Sequence, residues 1–207
     1  GGVYERLAAL SEFFEVVGVG TRSTTKLDAL LDGPVDVVVE LLGGEEPARR
    51  LISKALRLGR NVVTANKALL ATDLTSLQML AAFNGVSLKY SAAVGAAAPV
   101  LETIGRARNE GPLRSISGVL NGTTNFILDQ LARGISLSDA LTTAQQHGYA
   151  ERDPQLDLDG TDAAQKLILL ARAAFDVDLP FNSIRRQGIQ NVRHASDRVT
   201  RLVAECR

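Results

Sequence analysis

Val35-Asp36-Val37-Val38-Val39-Glu40-Leu41-Leu42, closed by Gly43-Gly44, is a nearly continuous β-branched and aliphatic run. A strand with one face in water alternates apolar and polar residues; a run without alternation reads as a strand of a parallel sheet buried on both faces. The elements on either side support this. Upstream, residues 26–31 predict a short helix closed by Gly33-Pro34, and Phe14-Glu15-Val16-Val17-Gly18-Val19 a strand. Before them, Val3, Leu7 and Leu10 share one helical face. Downstream, Pro47 sits where a first-turn proline starts a helix, striped by Ala48, Leu51, Ile52, Ala55 and Leu58 and capped by Gly59. Asn61-Val62-Val63-Thr64-Ala65 is a second buried strand, feeding Asn66-Lys67 and a helix that runs to about Asn84-Gly85.

Strand, helix, strand, helix at these lengths predicts an α/β fold with a Rossmann-type, doubly wound parallel sheet. Such sheets bind ligands beyond the carboxyl ends of their strands. Those ends are Gly20-Thr21-Arg22, Gly43-Gly44 and Thr64-Ala65-Asn66-Lys67, a crevice suited to a nucleotide. Many α/β folds share this much, so the crevice alone does not establish the ligand.

From about Val86 the pattern changes. Residues 88–94 predict a strand, 99–108 a helix, and 113–120 a strand ending in Asn121-Gly122-Thr123-Thr124-Asn125. A helix follows to Arg133, and another starts after Ser136, with Asp139 three residues on in a capping-box-like start. Residues 198–205 alternate like a half-buried strand. The expected organisation is a nucleotide-binding domain over residues 1–86 and a second α+β domain, mixed or antiparallel in its sheet, over 87–207.

Composition bounds the functional classes. Hydrophobic residues make up 45% and charged residues 22% of the 207, ordinary globular values. Lys+Arg and Asp+Glu balance at 23 each, so no global field draws the chain to nucleic acid or anionic lipid. No apolar run approaches the roughly 20 residues of a membrane helix. Cys206 stands alone, so no intrachain disulfide forms and a reducing cytoplasm is expected; the thiol reads as a small apolar filler near a strand end.

The densest polar segment runs Gly148-Tyr149-Ala150-Glu151-Arg152-Asp153-Pro154-Gln155-Leu156-Asp157-Leu158-Asp159-Gly160-Thr161-Asp162-Ala163-Ala164-Gln165-Lys166. Asp153-Pro154 favours an extended turn, so residues 151–159 are expected as a loop. From Thr161 the spacing of Ala164, Leu167, Ile168 and Ala171 predicts a helix against a core, with Asp162 and Lys166 one turn apart on one face. Acidic loops are most often only solvated surface. Two features argue for more. Lys166 lies beside an apolar stripe, where its ammonium must be paired or lose its proton. And a loop this acidic repels itself unless a cation, such as the ammonium of an amino acid, sits in it.

The segment from Ala144 through Gly148, Asp153-Pro154, Asp157-Leu158, Gly160, Asp162 and Lys166 resembles the homoserine dehydrogenase family motif, with matching spacing. Val38-Val39-Glu40-Leu41-Leu42-Gly43-Gly44, residues 62–70 and Asn121-Gly122-Thr123-Thr124-Asn125-Phe126 are similar to family segments in the same order, so the resemblance covers most of the chain from Gly1 to about Val192. It implies an oxidoreductase that interconverts L-aspartate 4-semialdehyde and L-homoserine by hydride transfer with a nicotinamide cofactor, in threonine and methionine biosynthesis. Lys166 would be the proton donor to the carbonyl oxygen, since an alkoxide forming at carbon needs a cation and a proton within reach. Glu151 would hold the substrate ammonium, Asp162 would bind or orient the reacting end, and Asp157 would support Lys166 or the substrate. Asn121 and Thr123 would join substrate binding. Lys67 would lie between cofactor and substrate, with Gly43, Gly44, Thr64 and Asn66 on the cofactor side. The family also implies a homodimer whose sheet, including residues 88–94 and 113–120, pairs across a two-fold axis.

Three features depart from the family. Gly1-Gly2 resemble only the tail of its glycine-rich fingerprint. Its C-terminal strands would follow about Arg207, so both domains are expected to be incomplete. Ser91 stands where the family has a glutamate that, with backbone carbonyls, binds a monovalent cation such as sodium. The carbonyls of Val94, Ala96 and Ala98 would remain, but a hydroxyl is a weaker ligand for a hard cation, so this site is expected to be weakened.

Cofactor choice follows from charge. An acid at the end of the second strand would bind the ribose hydroxyl of NAD. Val19-Gly20-Thr21-Arg22-Ser23-Thr24-Thr25-Lys26 has none, whereas Arg22 suits the 2′-phosphate of NADP; NADP is expected, with NAD as the alternative. Two other readings are a related dehydrogenase of another small semialdehyde or keto substrate, which Ser91 would suit, and a non-catalytic nucleotide-binding homologue. Glu151, Asp157, Asp162 and Lys166 together argue against the latter, since a binding module needs no proton donor.

Overall fold

The structure, a computed structural model, describes residues 13–21, 27–192 and 204–206. It divides into two units, one formed by Gly1–Leu69 with Thr75–Tyr90 and the other by Leu70–Leu74 with Ser91–Arg207.

The first unit carries the parallel sheet. After a short 3-10 helix at Leu27–Leu31 come β1 (Val37–Glu40), α1 (Ala48–Arg57), β2 (Asn61–Thr64), α2 (Lys67–Phe83) and β3 (Leu88–Lys89). The sheet order is β1-β2-β3, and both pairings are parallel, Val38 opposite Val62 and Val62 opposite Leu88. Parallel neighbours need a crossover, and α1 and α2 supply it. α1 forms because its apolar residues recur at helical spacing: Ala48, Leu51, Ile52 and Ala55 of the expected stripe are buried, as is Leu56, whereas Leu58, expected on the stripe, is the C-cap and 47% exposed. Each fully buried Ile or Leu contributes about 1.5–3 kcal/mol. Gly59, at φ 71°, then lets the chain leave the helix. α2 starts where the Asn66 side chain accepts the Leu69 N–H.

Three expectations for this unit need correction. β1 is not covered on both faces: Val37 and Val39 are 44% and 43% exposed, while Glu40 at its end is buried. Residues 14–19 form no strand; they are exposed, and among the described residues their backbone finds no ladder partner. And Leu88–Lys89 joins the parallel sheet of the first unit, which runs on to Tyr90, past the expected break at 86/87, while Leu70–Leu74 groups with the second unit. The predicted strand over 88–94 breaks after Lys89 because Ser91–Gly95 turns into a helix.

The second unit contains α3 (Ser91–Gly95), α4 (Val100–Glu110), β4 (Ile116–Gly118), α5 (Gly122–Ala132), α6 (Leu137–Gln146), α7 (Gln155–Leu158), α8 (Thr161–Phe175), a 3-10 turn at Phe181–Ser183 and β5 (Ala204–Cys206). β4 and β5 are antiparallel, Ile116 opposite Cys206 and Gly118 opposite Ala204; the predicted strand over 113–120 shortens to the three residues β5 pairs. α7 occupies part of the stretch expected as loop. The capping-box-like start after Ser136 is present: Ser136 accepts the Asp139 N–H and donates its hydroxyl to the Asp139 carboxylate at 2.6 Å. Beneath these helices lies a core of Ile127, Leu128 and Leu131 from α5, Ala140 and Ala144 from α6, Leu158 from α7 and Ile189 from the chain beyond α8. The Ile189 N–H donates to the Leu158 carbonyl at 2.8 Å, and a Cβ on Gly188 would fall 2.7 Å from that same oxygen. Only glycine allows this approach. Among the described residues no helix is long and apolar enough to cross a membrane.

Candidate active site

Two polar constellations stand out, one in each unit. In the first unit, Glu40 ends β1 with its carboxylate 1% exposed. A buried carboxylate needs partners, and it has two: the Leu42 N–H at 2.7 Å and the Thr64 hydroxyl at 2.6 Å. The Thr64 oxygen accepts the Asn66 N–H, and the Asn66 amide donates to the Gly44 carbonyl at 2.6 Å. One chain of hydrogen bonds therefore ties the turns after β1 and β2. Gly43 and Gly44 have φ of 67° and 71°, a left-handed path that glycine follows without strain. Lys67 opens α2 directly behind this turn.

In the second unit, Gly160, at φ 79°, reverses the chain after α7 and starts α8. Asp162 in the first turn of α8 is 6% exposed. Lys166 lies one turn on, and its Nζ donates to Asp162 Oδ2 and to the Leu120 carbonyl, both at 2.8 Å. The pairing expected from their spacing is present, and it is largely desolvated. Breaking such a pair from one side costs several kcal/mol, because the other charge stays buried. Asn121 caps α5 by accepting the Thr124 N–H at 2.7 Å. Its amide donates to Asp157 Oδ1 at 2.6 Å and to Asp162 Oδ2 at 2.9 Å. The Thr124 hydroxyl donates to the Asp157 carbonyl at 3.0 Å, and the Thr123 hydroxyl donates to the Tyr149 carbonyl.

These residues line an open cleft of about 790 Å³, whose walls include Asn121, Thr123, Tyr149, Asp157, Asp162 and Lys166. The carboxylates of Asp129, Asp157 and Asp162 line it beside one lysine ammonium, so the cleft keeps a negative excess suited to a cationic group. An ammonium has three N–H bonds, and Leu120 and Asp162 take two of those on Lys166. A third remains for a ligand oxygen. The arrangement suits protonation of a carbonyl oxygen on a small molecule that carries its own cation.

A family model described as homoserine dehydrogenase matches residues 99–206, and one described as homoserine dehydrogenase, NAD binding domain, matches residues 2–90. A homoserine dehydrogenase of Synechocystis is 38% identical over 199 residues, covering 88% of this chain and 46% of the relative. The chain belongs to the homoserine dehydrogenase family. A crystal structure of a homoserine dehydrogenase from Thiobacillus denitrificans superposes with a TM-score of 0.79 at 33% identity, covering 89% of this chain and 48% of that one. A hyperthermophilic archaeal homoserine dehydrogenase in complex with NADPH does so at 0.78 and 28% identity, covering 99% and 62%. The chain thus spans under half the length of the Synechocystis relative.

Against this family's pattern, the structure brings Lys166, Asp162, Asp157, Asn121 and Thr123 together at one cleft. Glu151 is exposed at the start of the loop after Ala150 and is not among the residues that line it. Gly43, Gly44, Asn66 and Lys67 gather at the strand ends of the first unit, whereas the Thr64 side chain is fully buried and supports the Asn66 turn. Arg22 lies outside the described residues, as does the Cys206 side chain. The strand ends fit a dinucleotide, since Gly43 and Gly44 present backbone without Cβ on a turn held by Glu40. The cation site fits less well. The Ser91 hydroxyl donates to Glu102 at 2.8 Å, the Ala98 carbonyl accepts the Val100 N–H at 2.8 Å, and the described residues hold no metal-binding cluster of His, Cys, Asp or Glu.

Glu40, Tyr149 and the Leu120 carbonyl escape the sequence reading. A carboxylate late in a β-branched run was the signal for Glu40. Nothing in a sequence signals which backbone carbonyl a lysine will meet.

Proposed function

We propose that this chain forms the catalytic part of a homoserine dehydrogenase, interconverting L-aspartate 4-semialdehyde and L-homoserine in threonine and methionine biosynthesis. The observation that carries the reading is the Lys166 ammonium, held by Asp162 and Leu120 on an acidic cleft. In the reductive direction Lys166 gives a proton to the carbonyl oxygen as negative charge develops there. Asp162 fixes the ammonium, and the acids around the cleft, with Glu151 on the adjoining loop, attract the substrate ammonium. A bound nicotinamide supplies or accepts the hydride. Gly43, Gly44, Asn66 and Lys67, with Arg22, are the residues that would hold it. Oxidation of L-homoserine with NADP by the full-length protein tests the reading; no turnover with either nicotinamide cofactor would refute it.

NADP is the proposed cofactor, on the strength of Arg22 and the absence of an acid beside it. Arg22→Ala should weaken NADP far more than NAD, by about 1.5–3 kcal/mol for a lost charge-assisted bond. Equal losses for both cofactors, measured by fluorescence titration, would show that Arg22 does not read the phosphate. The protein is further proposed to be a homodimer, as closed two-fold pairing is the commonest assembly. Light scattering at micromolar concentration should return twice the monomer mass; a monomer mass would rule this out.

A further inference from the structure

We propose that Asn121 is a positioning residue, whose side-chain amide sets the mutual geometry of Asp157, Asp162 and Lys166. The inference deepens the homoserine dehydrogenase reading and rests on it for its kinetic consequences. Asn121 Oδ1 accepts the Thr124 N–H, while Nδ2 donates to Asp157 Oδ1 at 2.6 Å and Asp162 Oδ2 at 2.9 Å. An amide nitrogen has two N–H bonds, so all its donors are committed within the protein and none is left for substrate. Its neighbours are two carboxylates that would otherwise repel each other, and Asp162 Oδ2 is also the oxygen that holds Lys166. Leu120, next in the chain, places its carbonyl on the same ammonium. Residues 120 and 121 thus fix Lys166 from one side directly and from the other through Asp162. Asn121 is 9% exposed, so water replaces its amide poorly.

A helix cap alone would look similar, and the choice of variants separates the two roles. Serine and aspartate both cap helices well and keep an acceptor for Thr124. Asn121→Ser removes the two donors; Asn121→Asp puts a third carboxylate where the donors were. In the full-length protein both variants should fold. Loss of hydrogen bonds to charged groups should lower kcat for homoserine oxidation by about tenfold to a hundredfold, Asp more than Ser, with KM less affected. Crystal structures of the variants should show the Asp157 carboxylate moved away from Asp162. Wild-type kcat in both variants would leave only the cap. A rise in KM with kcat unchanged would make Asn121 a substrate ligand instead. Either overturns the proposal. The crystallographic readout does not depend on turnover. Carboxylates that stay in place in both variants refute the positioning role, whereas displaced carboxylates beside an inactive wild type refute the activity alone.

Discussion

Lys166→Ala is expected to lower kcat for homoserine oxidation by about 10²–10⁴-fold while leaving cofactor binding nearly intact. The substitution removes the proton carrier and takes from Asp162, 6% exposed, its ion-pair partner at 2.8 Å. Lys166→Arg separates charge from proton transfer. Guanidinium keeps the cation but does not give up a proton in a protein, so it should restore substrate affinity better than turnover. Asp162→Ala should fall between, raising KM and lowering kcat, because it both faces the cleft and holds Lys166 at 2.8 Å. Glu151→Ala should act mainly on KM, as expected of a group that attracts the substrate ammonium without touching the reacting carbon. A Lys166→Ala variant with wild-type kcat in steady-state assays would end the catalytic assignment, whatever family the chain belongs to.

Leu128→Ala is the second large effect, and it concerns the core rather than the chemistry. Leu128 is fully buried in α5, among Ile127, Leu131, Ala140, Ala144, Leu158 and Ile189. Truncation removes transfer free energy and leaves a cavity that α5, α6 and α7 close only in part, costing about 2–5 kcal/mol. For a chain of this size that lowers the melting temperature by on the order of 10 °C. Leu156, two residues before Leu158 and 56% exposed, is the control; Leu156→Ala should change stability by no more than about 0.5 kcal/mol. Equal melting temperatures for the two variants in calorimetry would mean that the α5–α6–α7 core is not packed as described. The same core seats the start of α5, with Asn121 as its N-cap and Thr123 and Thr124 in its first turn. The Leu128→Ala variant should therefore lose activity on warming before the wild type does.

Local chemistry was legible in the order of residues. The i, i+4 relation of Asp162 and Lys166 follows from helical periodicity, and their ion pair follows from that. Ser136 capping α6, the stripe of α1 and the parallel character of β1 and β2 likewise rest on neighbours within a few residues. What the order of residues left open is decided by contacts between distant segments. Asn121 reads as a cap or as a ligand until Asp157 and Asp162, 36 and 41 residues away, are placed against its amide. Leu88–Lys89 could have joined either sheet; hydrogen bonding to Val62 and Val63 puts it in the first. Phe14 to Val19 have every local mark of a strand, yet a strand needs a ladder partner, and none is found among the described residues. Periodicity states which face of a segment turns inward. Only the packed chain states what that face meets, because each long-range contact depends on the position of two segments whose separation no local pattern encodes.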